Sequence, residues 1–171
     1  PLLEGCLGAR AASDEGLPLG RGIPFGLEAS VSYGAGTAKG PAAMLAASHS
    51  LSTFDDELWD EPSKHFRLET VEEPAIPQKA EAALDQLATL TGAALDDGAF
   101  PLTFGGEHAI TPGALRPFVE RWPDIALLHF DAHADLRDGY DGEHFSHAAA
   151  LRRCLDHPEV SLVSIGIRNI S

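Results

Sequence analysis

The chain has 171 residues and a mass of 18.1 kDa, a length that favours one domain with a real core. Apolar residues make up 44% and charged residues 22%, a globular balance that excludes a disordered chain. Twelve basic against 26 acidic side chains leave −14, which argues against nucleic acid or an anionic membrane and favours metal ions or a cationic small molecule.

Residues 1–20 are rich in Gly and Ala and show little pattern. Arg21–Gly26 reads as a strand end running into a loop, and Gly34, Gly36 and Gly40 extend that loop. Pro41 opens a short helix to about Ser48, because proline suits the first helical position. Residues 54–77 are acidic, hold Pro62, Pro74 and Pro77, and predict a surface excursion with one short strand near 66–71. A helix then starts at Pro77, with Ala80, Leu84, Leu87 and Leu90 on one face and Gly98 past its end. Phe100–Phe104 is an apolar run stopped by Gly105-Gly106. Residues 111–121 read as a helix with Thr111 as cap and Pro112 in its first turn. Ile125–Phe130 fits a buried parallel strand, Ser146 caps a helix to Leu155, and Val160–Ile167 fits another buried strand. This alternation predicts an α/β domain with a parallel sheet, whose ligands bind beyond the carboxyl ends of the strands.

No apolar run is long enough for a membrane span, and no basic patch followed by an apolar stretch opens the chain. Cys6 and Cys154 lie far apart and outside any C-x-x-C, so both read as packing residues in a reducing, cytoplasmic setting. No G-x-S-x-G, Walker A or G-x-G-x-x-G motif occurs, leaving serine-hydrolase and nucleotide-binding schemes unsupported. The chain opens at Pro1 and stops at Ser171 after a strand-like run, and is read as one domain over 1–171 truncated at both ends.

Two strand ends are loaded with chemistry. One finishes in Gly105-Gly106-Glu107-His108, the other in His129-Phe130-Asp131-Ala132-His133-Ala134-Asp135. Five of the eight histidines fall between 108 and 147. Asp131, His133 and Asp135 alternate, so in an extended chain they share one face and their ligand atoms converge. Carboxylates with imidazoles suit manganese, zinc or iron, and the lack of thiolates argues against structural zinc. With His108 the cluster can seed a two-metal site that generates a hydroxide nucleophile. Gly105-Gly106 lets the backbone turn sharply and approach a ligand closely, with His108 entering from the neighbouring strand. His129 reads as a packed side chain beside the cluster. Glu107 is either an acceptor behind the ligands or a helix-entry carboxylate. His144 and His147 are loop histidines, either able to move a proton near a metal. His49, His65 and His157 read as surface residues.

The order G-G-E-H, then H-F-D-A-H-A-D, then S-H-A-x-x-x-R-R resembles the ureohydrolase family of arginases and agmatinases. Gly22-Ile-Pro-Phe, Tyr33-Gly-Ala-Gly-Thr, Gly40-Pro-Ala-Ala and Ser164-Ile-Gly-Ile-Arg168 extend the likeness over residues 21–171. The resemblance implies a three-layer α/β/α fold with a mainly parallel sheet, usually in trimers or hexamers. It implies two manganese ions, one on His108, Asp131 and Asp135, the other on Asp131 and His133. Asp135 would orient a bridging hydroxide that attacks a guanidinium carbon and releases urea and an amine. His147 matches the family's loop histidine, which shuttles protons or contacts substrate, with His144 as its rival.

The family's S-x-D-x-D-x-x-D motif does not occur before Ser171, so four of its six usual ligands are present and the chain alone is expected to be inactive. D-L-R-D-x-Y with S-H-A-x-x-x-R-R looks most like prokaryotic agmatinases, and Arg137 stands where arginases carry asparagine. Gly26 stands where many members have aspartate. Agmatine, yielding putrescine and urea, is the expected substrate. Guanidinobutyrase, formiminoglutamase, arginase, a single-zinc deacetylase-like amidohydrolase and a non-catalytic subunit are the alternatives.

Overall fold

The computed structural model describes residues 2–3 and 16–170. In chain order the main elements are β1 (Leu2–Leu3), β2 (Leu19–Phe25), α1 (Gly40–Ser48), β3 (Arg67–Val71), α2 (Ala80–Asp96) and β4 (Phe100–Gly105). They continue with α3 (Thr111–Arg121), β5 (Ile125–Phe130), α4 (Ala150–Cys154) and β6 (Val160–Ile165). Cys6 lies outside the described residues.

The expected α/β class holds. β2 pairs in parallel with β3 and β4, and β5 with β6, while β1 runs antiparallel to β3. Among the described residues these pairs form two sheets, β1-β3-β2-β4 and β5-β6, rather than one.

Each sheet has its own core. Ile23 and Phe25 of β2, with Leu27 beyond it, pack with Ala83, Leu87 and Ala94 of α2. The predicted apolar face of α2 is therefore the packed one, with Leu84 and Leu87 at 0% exposure. The helix starts at Ala80 rather than Pro77, after Lys79 in extended backbone. Gln86 donates from Nε2 to the Ala75 carbonyl at 3.1 Å, which lays the proline-bearing lead-in beside the helix instead of in it. Gly98, at φ 70°, takes the chain out of α2 in the left-handed conformation that glycine adopts readily.

The second core joins Leu115 of α3, Cys154 of α4 and Val160 of β6, with Ile125, Leu127 and Phe118 against them. Thr111 is not the cap of α3. A 3-10 turn at His108–Ile110 runs straight into the helix, so Thr111 already has helical backbone angles. Ser146 does cap, its Oγ accepting from the Ala148 N–H at 3.3 Å, and starts the 3-10 turn His147–Ala149 that leads into α4.

β5 is not buried on both faces as expected. Ile125 and Leu127 pack on the second core and His129 is buried, while Leu128 and Phe130 are 54% and 71% exposed. They pair with Val163 and Ile165 of β6, so an apolar face lies open among the described residues. β6 ends at Ile165, where Gly166 turns the chain at φ 93°. No helix among the described residues is long and apolar enough to cross a membrane.

Gly106 and Gly92 give opposite predictions. A Cβ on Gly106 would lie 2.1 Å from the Leu27 carbonyl oxygen, so Gly106→Ala must push two backbones apart and is expected to destabilise by about 1–3 kcal/mol. A Cβ on Gly92, inside α2, meets nothing nearer than 3.9 Å. Gly92→Ala is expected to stabilise by roughly 0.5–1 kcal/mol, because alanine restores helix propensity. Chemical denaturation of the intact protein checks both signs.

Candidate active site

The ends of β2, β4 and β5 and the start of the 147–149 turn meet around one cavity of about 640 Å³. His108, Asp131, His133, Asp135 and His147 all line it. The five predicted site residues are thus brought together from three separate stretches of chain.

The glycine pair sets the approach of β4. The chain bends at Gly106 and Glu107 as expected, though neither Gly105 nor Gly106 takes a positive φ. Both also allow close approach: a Cβ on Gly106 would meet the Leu27 backbone, and one on Gly105 the Ile110 side chain. Gly106 donates its N–H to the Phe25 carbonyl at 3.4 Å, and Glu107 donates to the Leu27 carbonyl at 2.9 Å. This crossing delivers His108 at the top of the first sheet. Gly26 works similarly: a Cβ there would lie 2.2 Å from the Ala38 carbonyl oxygen, so an aspartate has no room in this packing.

Strand alternation does not bring Asp131, Asp135 and His133 together. β5 ends at Phe130, and the following loop does the work. The Asp131 N–H donates to Ile165 at 3.1 Å, and Arg168 and Asn169 donate to Ala132 at 2.9 and 3.0 Å. Asp135 adopts φ 48°, a left-handed conformation that aspartate tolerates better than most side chains. In that conformation its carbonyl accepts from the N–H groups of Leu151 and Arg152 at 3.0 and 3.2 Å, in the first turn of α4. Its carboxylate Oδ2 lies 2.6 Å from His108 Nδ1.

Asp131 is the hub. Its Oδ1 accepts from the His133 N–H at 2.8 Å and lies 3.3 Å from His133 Nδ1. Its Oδ2 lies 3.5 Å from His129 Nε2. Burial pushes the Asp131 carboxyl up, but the His133 N–H and the facing His108 and His129 together hold it below the ordinary aspartate value. The His133 ring is 61% exposed and turned to the mouth of the cavity.

Donor atoms of His108, His129 and Asp131 all lie within 4.8 Å of one another. His129 is buried, as read from sequence, and its ring stacks on His108 at 5.4 Å. Its Nδ1 pairs with Ser164 Oγ at 3.1 Å, whereas its buried Nε2 has no hydrogen-bond partner. A buried imidazole nitrogen without a partner, aimed at a carboxylate, fits a divalent cation, and the all-nitrogen-and-oxygen donor set fits manganese, iron or zinc.

The two loop histidines separate cleanly. His147 lines the cavity, with Ser30 Oγ 3.2 Å from Nδ1 and Ser32 Oγ 3.0 Å from Nε2. His144 lies against the Arg153 guanidinium and lines a different cavity with Gln78 and Lys79. Arg153 is buried and pairs with Asp138 at 2.6 Å and Asp156 at 3.1 Å, so His144 belongs to a structural ion cluster. Glu107 stands at the entry to the 108–110 turn, but its side chain makes no cap bond there; it takes the N–H of Ser30 at 2.8 Å and the Ser30 hydroxyl at 3.0 Å. Ser30, Ser32 and Tyr140, whose ring meets His147 edge-on, were not foreseen, since serines 117 and 115 positions away leave no spacing signal.

The Arginase family model matches residues 21–171. The chain is 33% identical over 150 residues to an agmatinase of Bacillus anthracis, covering 86% of this chain and 51% of that protein. It superposes on the crystal structure of an agmatine ureohydrolase of Thermoplasma volcanium with a TM-score of 0.76 and 27% identity, covering 99% of this chain and 56% of the other. A formiminoglutamase variant from Trypanosoma cruzi, solved with Mn2+, shares the fold at a TM-score of 0.82 and 23% identity, over 98% of this chain and 59% of that one. The chain spans about half the length of the curated relatives it matches.

Cys154 is 0% exposed, and burial pushes its thiol up to about 12. The thiol therefore stays protonated and packed, in line with its sequence reading. Alkylation of the native protein by iodoacetamide near pH 8 is expected to leave Cys154 unmodified in peptide mass maps. Labelling is expected to be complete in denaturant.

Proposed function

This chain belongs to the arginase family, and we propose that the protein carrying it hydrolyses a guanidino compound to urea and an amine, with agmatine as substrate. The observation that carries the reading is the meeting of His108, Asp131, His133, Asp135 and His147 around one cavity in a chain of this family. Its likeness to agmatinases supports the choice of substrate.

His108, Asp131, His133 and Asp135 would hold two manganese ions, and the partnerless Nε2 of His129 supports a cation beside them. When bound, such ions lower the pKa of water and act as Lewis acids. The chain's own residues supply the rest. Asp131 and Asp135 put two carboxylates on the cavity wall, the anionic oxygen ligands that such ions need. Asp135, held by α4 through its carbonyl, keeps its carboxylate oriented while accepting a hydrogen bond. His147 faces the cavity between two serines and would return a proton to the departing amine nitrogen. Arg137 lies 4.9 Å over the Tyr140 ring, and both line the same cavity, where they would shape the substrate's far end. A cytoplasmic setting and assembly into a trimer or hexamer belong to the same proposal.

Manganese-dependent urea release by the intact protein tests it. Agmatine is expected to outrun arginine and guanidinobutyrate in kcat/KM. Urea from none of the three with saturating manganese would contradict the reading. Asp131→Asn is expected to lower both metal content and kcat/KM by at least about a hundredfold, since it removes the hub carboxylate. Asp135→Asn keeps a side chain that tolerates left-handed backbone, so it is expected to lower kcat while leaving the thermal midpoint close to wild type.

A further inference from the structure

We propose that Glu107 is a positioning residue: through Ser30 it fixes the tautomer of His147, placing the proton on Nδ1 and the lone pair on Nε2. The inference rests on the reading of His147 as the group that moves a proton in the proposed hydrolysis.

The argument is a count of hydrogens. A carboxylate only accepts, and a serine hydroxyl has one hydrogen and two lone pairs. Glu107 is 6% exposed and takes the N–H groups of Ala29 and Ser30 on Oε2, at 3.2 and 2.8 Å. Its Oε1 takes the Ser30 hydroxyl at 3.0 Å, which uses the only hydrogen that Ser30 Oγ has to give. One lone pair of that oxygen accepts from the His147 backbone N–H at 2.9 Å. The other faces His147 Nδ1 at 3.2 Å, and this contact is a hydrogen bond only if Nδ1 carries the hydrogen. Ser146 Oγ is also near Nδ1, but at 3.5 Å it is the longer contact. A neutral imidazole with hydrogen on Nδ1 has its lone pair on Nε2. There Ser32 Oγ, 3.0 Å away and itself lining the cavity, is free to donate.

The consequence is directional. The nitrogen able to take up a proton is the one beside Ser32, and the buried carboxylate behind Ser30 is ready to stabilise the imidazolium that results. Ser30 comes from the loop after β2, Glu107 from the end of β4 and His147 from the turn before α4. A proton-moving side chain is thereby held from both sides of the cavity floor.

Nitrogen-resolved NMR of histidine-labelled intact protein, loaded with a diamagnetic divalent ion, reads the tautomer directly. The measurement is made at about pH 8.5, roughly two units above the ordinary imidazole pKa. His147 is expected to show a protonated Nδ1. In Glu107→Gln the amide can donate to Ser30 Oγ, freeing the hydroxyl hydrogen for Nδ1, so the imidazole proton is expected to shift to Nε2. Ser30→Thr keeps the hydroxyl and is expected to keep the wild-type tautomer, whereas Ser30→Ala is expected to lose it. In parallel, Glu107→Gln is expected to lower kcat at least about tenfold with KM changed less than about threefold.

A wild-type His147 protonated on Nε2 overturns the proposal without recourse to any variant. So does a folded Glu107→Gln protein with an unchanged tautomer. Urea release is scored separately. A protein with His147 protonated on Nδ1 that releases no urea upholds the Glu107–Ser30 assignment and sinks the hydrolysis reading alone.

Discussion

His108 Nδ1 and Asp135 Oδ2 meet at 2.6 Å, and through that contact the ends of two separate sheets close on one cavity. His108 belongs to the first sheet by way of β4, and Asp135 to the second by way of β5. Neither sheet alone presents more than part of the donor set. Partly buried carboxylates without partners would cost several kcal/mol each, so the site persists only where imidazoles, backbone N–H groups or a cation face them. Asp131 meets that demand with His129, His133 and the His133 N–H. The buried Nε2 of His129 faces Asp131 at 3.5 Å without making a hydrogen bond, which leaves it open to a cation.

The loop from Asp131 to Arg137 is over-determined by its backbone. On one side it is tied to the end of β6 through Ile165 and to the segment after it through Arg168 and Asn169, and on the other to α4 through Leu151 and Arg152. These bonds hold Asp135 in a left-handed conformation that costs about 1 kcal/mol or more for a residue with a side chain. The cost is offset by two otherwise unpaired N–H groups at the start of α4, and it turns the carboxylate toward His108. Local strain, helix start and site geometry are one arrangement.

Much of this was legible in the sequence. Periodicity locates the apolar face of α2 because Leu84 and Leu87 recur at helical spacing, and β4, β5 and β6 are visible as short apolar runs. The density of Asp and His after two of those runs pointed to the cavity, and the motif order pointed to the family. What failed had physical causes. Strand alternation predicts that Asp131, His133 and Asp135 share a face, but the strand stops one residue before the first of them. The choice between His144 and His147 was open, because it depends on Arg153, which holds one, and on Ser30 and Ser32, which hold the other. Side chains more than a hundred positions apart carry no local signal. The open apolar face of β5 and β6 was equally invisible, since an exposed Leu or Phe reads the same as a buried one.

The central claim is that the donor atoms around Asp131 hold divalent cations. Anomalous diffraction from crystals of the intact protein grown with Mn2+, collected on either side of the manganese edge, tests this most directly. The account predicts two peaks in the cavity, one in contact with His108, Asp131 and Asp135 and one with Asp131 and His133. Ordered side chains at these positions with no anomalous peak among them, at millimolar Mn2+, would contradict it.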